Sequence, residues 1–204
     1  MVAERFAALT CAAAGLLLAG ASSHAQPGPD TSGEVTYVYT SFDADKTCRH
    51  RPSREPEDYG SWLCRGYGGI AVRLSAGDQR MQVSFGPRAA QELAAGQTFP
   101  GFNDVYKGTI EWRIAPGADG KPRPFATILR WNLIMEGDQG TPSGRALVVT
   151  RLGTGSVCHV GYVDARANPD ANTLARKLAD EKARTFKCGT DQPTWFGNGA
   201  PETK

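Results

Sequence analysis

The chain is short of the side chains that most often carry catalysis. Histidine occurs three times in 204 residues. His24 falls in an N-terminal stretch with the character of a leader, which leaves His50 and His159 for the rest of the chain. An excess of charge of one sign is also missing: 23 Lys and Arg against 21 Asp and Glu leave a net charge of +2. A dedicated nucleic-acid binder carries a strongly basic domain, so nucleic acid is not expected as a partner. No GxGxxG turn, Walker loop or alternating βαβ pattern occurs, so neither a nucleotide fold nor a cofactor is expected. The apolar runs fall short of the roughly 20 residues that cross a bilayer, and no permanent membrane span is expected. With 22 % charged and 40 % hydrophobic residues, the composition is that of a globular chain, neither disordered nor collagenous.

What the sequence does contain begins with a leader. Residues 1–25 have the form of a secretory signal peptide: Arg5, an apolar stretch from Phe6 to Ala21, then small residues with Ser23 and Ala25 before Gln26. Cleavage near Ala25 leaves about 179 residues, a single-domain length, in the periplasm or the medium. Residues 26–33, rich in Pro and Gly, form a flexible lead-in. Cys11 leaves with the leader, and Cys48, Cys64, Cys158 and Cys188 remain. An even count in an oxidising compartment implies disulfides, in one of three connectivities. A strand starting at Cys158 and a helix returning to Cys188 favour Cys158–Cys188, while Cys48 and Cys64 bracket a polar loop and pair with each other. The alternative is a zinc site from Cys48, His50, Cys64, Cys158 and His159, but their spacing matches no zinc-ligand pattern.

Alternation of apolar and polar residues predicts a strand through Val35–Thr40, a hairpin over 70–85 with Gly77-Asp78 as turn, strands through Ile110–Ile114 and Phe125–Trp131, and a hairpin formed by 146–152 and 157–163. Residues 42–69 read as polar and turn-rich, and Arg88–Ala95 as a short helix ended by Gly96. The last helix runs from Pro169 toward Cys188, with Asn168 as cap and an apolar stripe of Ala171, Leu174, Ala175, Leu178 and Phe186. The stripe is expected on the strand face of Cys158, Val160 and Tyr162, with His159 opposite; Asp180 is expected to pair with Arg184. The fold class is therefore α+β: an antiparallel sheet or β-sandwich built from hairpins, with one C-terminal helix packed on it and disulfide staples. One domain over 34–188 and a loose tail over 189–204 complete the expected organisation.

The segments Trp62-Leu63-Cys64-Arg65-Gly66-Tyr67-Gly68-Gly69, Gly77-Asp78-Gln79-Arg80, Glu111-Trp112-Arg113 and Phe186-Lys187-Cys188 resemble the pattern of small exported bacterial proteins of uncharacterised function. The resemblance spans most of the chain after the leader and carries no catalytic residues onto it.

Several side chains remain as candidates for chemistry. His159 lies near Ser156 and Asp164 in sequence, but no nucleophile-elbow motif surrounds the serine, and a hydrogen-bonded structural histidine is the simpler reading. Glu111 and Asp164 are candidate carboxylates for glycan hydrolysis. The simpler reading has Glu111 facing Arg113 or Arg130 on an exposed sheet face and Asp164 stabilising a turn. Asp43-Ala44-Asp45 lacks the glycine and distal glutamate of a calcium loop. The most unusual composition is Lys46–Arg54, where Lys46, Arg49, Arg51 and Arg54 surround His50, followed by Glu55, Glu57 and Asp58. Stapled by Cys48–Cys64, this segment is a constrained surface loop able to recognise an acidic partner. Tyr59, Trp62 and Tyr67 are its candidate anchors. The expected function is an exported, non-enzymatic module that binds an envelope protein or polymer through Arg49, His50, Arg51, Arg54, Tyr59, Trp62 and Tyr67. The alternatives are a periplasmic glycan or ester hydrolase using Glu111, Asp164 or His159, and a structural envelope component.

Overall fold

The computed structural model describes residues 34–54, 58–135, 138–139, 143–153 and 155–197. Residues 1–33, where a leader and a flexible lead-in are expected, residues 55–57, 136–137, 140–142 and 154, and the last part of the expected tail, 198–204, lie outside the described residues. The architecture is α+β, with two mostly antiparallel sheets and one main helix near the C-terminus. In chain order the elements are β1 (Thr36–Asp43), α1 (Ala44–Thr47), β2 (Arg49–Arg51), β3 (Asp58–Arg65), β4 (Ala71–Gly77), β5 (Arg80–Phe85), β6 (Asn103–Asp104), β7 (Lys107–Pro116), β8 (Pro122–Leu133), β9 (Gly144–Arg151), β10 (Cys158–Asp164), α2 (Ala171–Lys182) and β11 (Thr194–Phe196). Strands β2-β3-β4-β5 form the smaller sheet. The larger runs β1-β7-β8-β9-β10-β11, with β6 on the end of β8.

Alternation along the strands divides the apolar side chains between two cores. The first lies between the sheets and joins Trp62, Val72, Leu74, Val83 and Phe85 of the small sheet to Ile110, Trp112, Leu129, Trp131 and Val148 of the large one. The second lies on the other face of the large sheet, where Ile128, Leu147, Val149, Val160 and Val163 meet Ala171, Ala175, Leu178 and Ala179 of α2. Three layers result: small sheet, large sheet, helix. Both disulfides form as expected, Cys48–Cys64 and Cys158–Cys188.

The hairpins and the central strands follow their sequence pattern. In the β4–β5 hairpin Gly77 pairs with Arg80, so the tight turn is Asp78-Gln79, one residue later than expected. Both have positive φ, 49° and 57°, as a type I′ turn requires. Residues 88–95 fold as two short 3₁₀ turns, Ala89–Gln91 and Leu93–Ala95, in place of one helix. The predicted last helix is shorter than its periodicity suggests, ending at Lys182. Its final carbonyls are capped from outside: Arg151 Nη1 donates to Ala183 O at 2.8 Å and to Arg184 O at 3.0 Å. Asn168 is not the cap. Its Nδ2 donates to Asp164 O and Phe196 O, tying the helix entry to the C-terminal strand. That strand, β11, pairs in parallel with β10, so the expected loose tail is ordered through Phe196.

One displaced residue corrects the expected face of β10. A bulge between His159 and Gly161 turns Tyr162 into the inter-sheet core, while Val160 and Val163 face the helix. His159 and Tyr162 therefore share a side, and His159 Nδ1 lies 3.0 Å from the Tyr162 hydroxyl. A bulge opposite Arg113 and Ile114 likewise places both Phe125 and Ala126 on the helix side.

Candidate binding face

The basic segment is built as a strand rather than a loop. Asp43 Oδ1 accepts from the Asp45 N–H and starts α1. After α1 the Cys48–Cys64 bridge pins the chain beside β3, and β2 pairs as Arg49↔Leu63, His50↔Trp62 and Arg51↔Ser61. Alternation sends Arg49 and Arg51 to the outer face of the small sheet and His50 toward its inner side. There the imidazole stacks on the Trp62 ring at 4.7 Å. Trp62 itself is buried against Tyr106, and Tyr67 is half-buried against Trp112. These two expected anchors are core residues, because the indole and phenol fill the space between the sheets. Tyr59 falls within β3. Arg54 is exposed just beyond β2; Glu55 and Glu57 lie outside the described residues.

The same register extends the outer face across the sheet. One row reads Arg51, Ser61, Ser75, Gln82, and the next Arg49, Leu63, Arg73, Ser84; Arg65 stands opposite Ala71. Arg49, Arg51, Arg65 and Arg73 thus share one face, and these rows contain no acidic residue. Arg73, Ser75 and Gln82 were not singled out by the sequence reading. Their signal was present in the polar alternation of the 70–85 hairpin, but only strand order places that hairpin beside the basic segment.

Arg73 anchors a chain of hydrogen bonds: its Nη1 donates to Ser75 Oγ at 2.9 Å, and Ser75 Oγ donates to Gln82 Oε1 at 3.1 Å. Burial pulls the Arg73 pKa below its ordinary value, yet a guanidinium stays charged at neutral pH. Among the described residues neither Arg51 nor Arg73 has an acidic partner. An open cleft of about 520 Å³ lies along this part of the face, lined by Arg51, Ser61, Arg73, Ser75, Gln82 and Thr98 among others. The pair of Arg80 with Asp78 closes one end.

The three candidate catalytic groups stand in separate environments. Glu111 is not on an exposed face: it is buried beneath α2, and Arg113 Nη1 and Arg176 Nε donate to it at 2.9 and 2.8 Å. Arg176 Nη2 and the Tyr39 hydroxyl complete its shell at 3.0 and 3.1 Å. Burial alone would raise the Glu111 pKa; Arg176, Tyr39 and Arg113 outweigh it and hold the carboxyl below its usual range. Asp180 is taken by Arg113 in a two-pronged pair at 2.9 and 2.6 Å rather than by Arg184, which lies over the Phe125 ring. With every oxygen of Glu111 engaged, the cluster fastens α2 to β7. His159 lies on the opposite face of the same sheet, between the layers. Asp164, at the end of β10, accepts from the Arg166 and Ala167 N–H groups and shapes the turn before α2. Asp43 pairs with Lys107, and among the described residues no cluster of His, Cys, Asp and Glu could hold a metal ion. Also among them, no helix is long and apolar enough to cross a membrane.

Comparison with protein-family models, with curated proteins and with solved structures gives no match to this chain.

Proposed function

We propose that this chain is an exported binding module that takes an acidic envelope partner on the outer face of its four-stranded sheet. The observation that carries this reading is the row geometry: Arg49, Arg51, Arg65 and Arg73 project from one face, and the rows that carry them hold no acid. Four arginines on one surface of a near-neutral molecule attract a polyanion there, and the attraction weakens with salt. The Cys48–Cys64 bridge supports the reading because it fixes β2 before binding, so little ordering cost is added. Two disulfides suit an oxidising compartment, in keeping with the leader read in residues 1–25. The aromatic part of the expected contact is replaced by Arg65, Arg73 and the polar side chains between them.

The test is retention on an immobilised acidic polymer under a salt gradient. The folded protein should be retained and elute with salt, and the triple variant Arg49→Ser, Arg51→Ser, Arg54→Ser should elute at clearly lower salt. Equal elution of the two proteins would remove the basic face from the function.

A further inference from the structure

The cleft on the outer face offers hydrogen-bond donors that no described protein group accepts from. Arg73 commits Nη1 to Ser75, which leaves Nε and Nη2 unbonded. Ser75 spends its one proton on Gln82 Oε1, so the Gln82 amide nitrogen is unbonded as well. Arg51 lines the same cleft and has no acidic partner among the described residues. Asp78, which also lines the cleft, is taken by Arg80. Half-burying the Arg73 cation without a carboxylate of its own costs free energy that a bound anion would recover.

The remaining lining narrows the class of anion. Ser61, Ser75 and Thr98 present hydroxyls beside the two arginines, and no large apolar side chain lines this cleft. An amphiphile, or a peptide read by its apolar side chains, has nothing there to hold. A compact acid carrying several hydroxyls has both a fork for its carboxylate and partners for its hydroxyls. We propose that this cleft is a subsite for a uronic acid residue, with its carboxylate on the Arg73 fork, Arg51 as the second cation, and its hydroxyls toward Ser61, Ser75 and Gln82. The proposal rests on the basic-face reading and deepens it: the acidic partner is a uronate-bearing polysaccharide, each of whose units presents the same group.

Titration of the folded protein with glucuronate, followed by amide NMR shifts, tests the subsite directly. Free glucuronate should bind weakly, in the millimolar range expected of one small ligand, and shift Ser61, Arg73, Ser75 and Gln82. A uronate oligomer should bind more tightly through the same residues, glucose should leave those four unmoved, and poly-glutamate should shift them less than a uronate oligomer of equal charge. Arg73→Gln should weaken glucuronate binding at least tenfold; Gln82→Ala, which keeps the arginine, should weaken it less. Matching thermal unfolding of each variant with the parent excludes a folding artefact. Equal binding of glucose, undiminished binding by Arg73→Gln, or poly-glutamate shifting the same four amides as strongly as the uronate oligomer overturns the proposal. If the acidic-polymer column still separates the parent from the triple arginine variant, the basic face stands and only the uronate subsite falls. If the column fails too, both fall.

Discussion

The His159 ring lies wholly inside the inter-sheet core, edge-on to Trp131 and to Tyr162. Its Nδ1 meets the Tyr162 hydroxyl, and its Nε2 has no protein partner. A second ring proton would put charge into an apolar space, so burial lowers the His159 pKa to about 3. The same burial pushes the Tyr162 phenol pKa upward, so neither member of the pair ionises at neutral pH. The consequence for stability has a definite sign. An unfolded chain takes up the histidine proton near pH 6.5, and the folded chain only near 3. Between those values the unfolded state holds more protons, so stability falls as pH falls through this window. The slope approaches about 1.4 kcal/mol per pH unit for this one group. Urea unfolding between pH 6.5 and 5, above the range where most carboxylates titrate, isolates the effect. His159→Leu should flatten the slope there; a slope equal to the parent's would mean that the folded protein protonates this ring as readily as the unfolded chain. The histidine expected to be structural is accounted for by this environment, and its partner, Tyr162, was hidden by the bulge between them.

At the scale of elements, strict alternation gave the right strands but not always the right faces. In β10 and β8 both sheet faces are buried, so each strand is apolar on either side and a single inserted residue leaves no mark in the pattern. That is why Tyr162 lies on the side opposite to the one its alternation suggests, and why Phe125 shares a side with Ala126. The segment 46–67 was illegible for the opposite reason. Arg49, His50 and Arg51 are all exposed, and a strand at a sheet edge needs no apolar alternation when a disulfide holds it in place. Its geometry depends on Gly60, where a bulge between Asp58 and Gly60 lets β2 and the chain beyond it come close. Gly60 has φ of +109°, and an added Cβ would stand 2.3 Å from Arg51 O and 2.9 Å from Pro52 Cα. Both contacts are with backbone, so no side-chain rotation relieves them. Gly60→Ala should therefore displace β2 from β3. The expected cost is about 2 kcal/mol in urea unfolding, together with elution from the acidic polymer at lower salt. A variant of parental stability and retention would show that β2 is not positioned through this glycine.

At the scale of the whole molecule, the binding face is a product of strand order. Arg51 and Arg73 are 22 positions apart in the chain and become neighbours only because β2, β3 and β4 lie side by side. Composition could flag the first and not the second. The disulfides were legible because their spacing suits the elements they join, and each stays within its own part of the molecule. Cys48–Cys64 ties the start of β2 to β3, inside the small sheet. Cys158–Cys188 ties the chain beyond α2 back to β10 of the large sheet. Neither links one sheet to the other, so the sheets are joined by their shared apolar core, where Phe85 of the small sheet meets Trp112 of the large one edge-to-face at 5.7 Å. The bridges close loops of 16 and 30 positions, and each is expected to contribute about 3 kcal/mol by constraining the unfolded chain. Replacing either pair of cysteines with alanine should thus lower the urea midpoint by a comparable amount. Both variants should still unfold in one transition, because loosening one sheet exposes the core that supports the other. Fluorescence of Trp112 and Trp131, both buried in that core, should follow the same curve as far-UV circular dichroism. If the two signals separate, each sheet carries a core of its own and the inter-sheet packing does not govern stability. If the midpoints do not move, the bridges add nothing to the folded state that the sheets do not already secure.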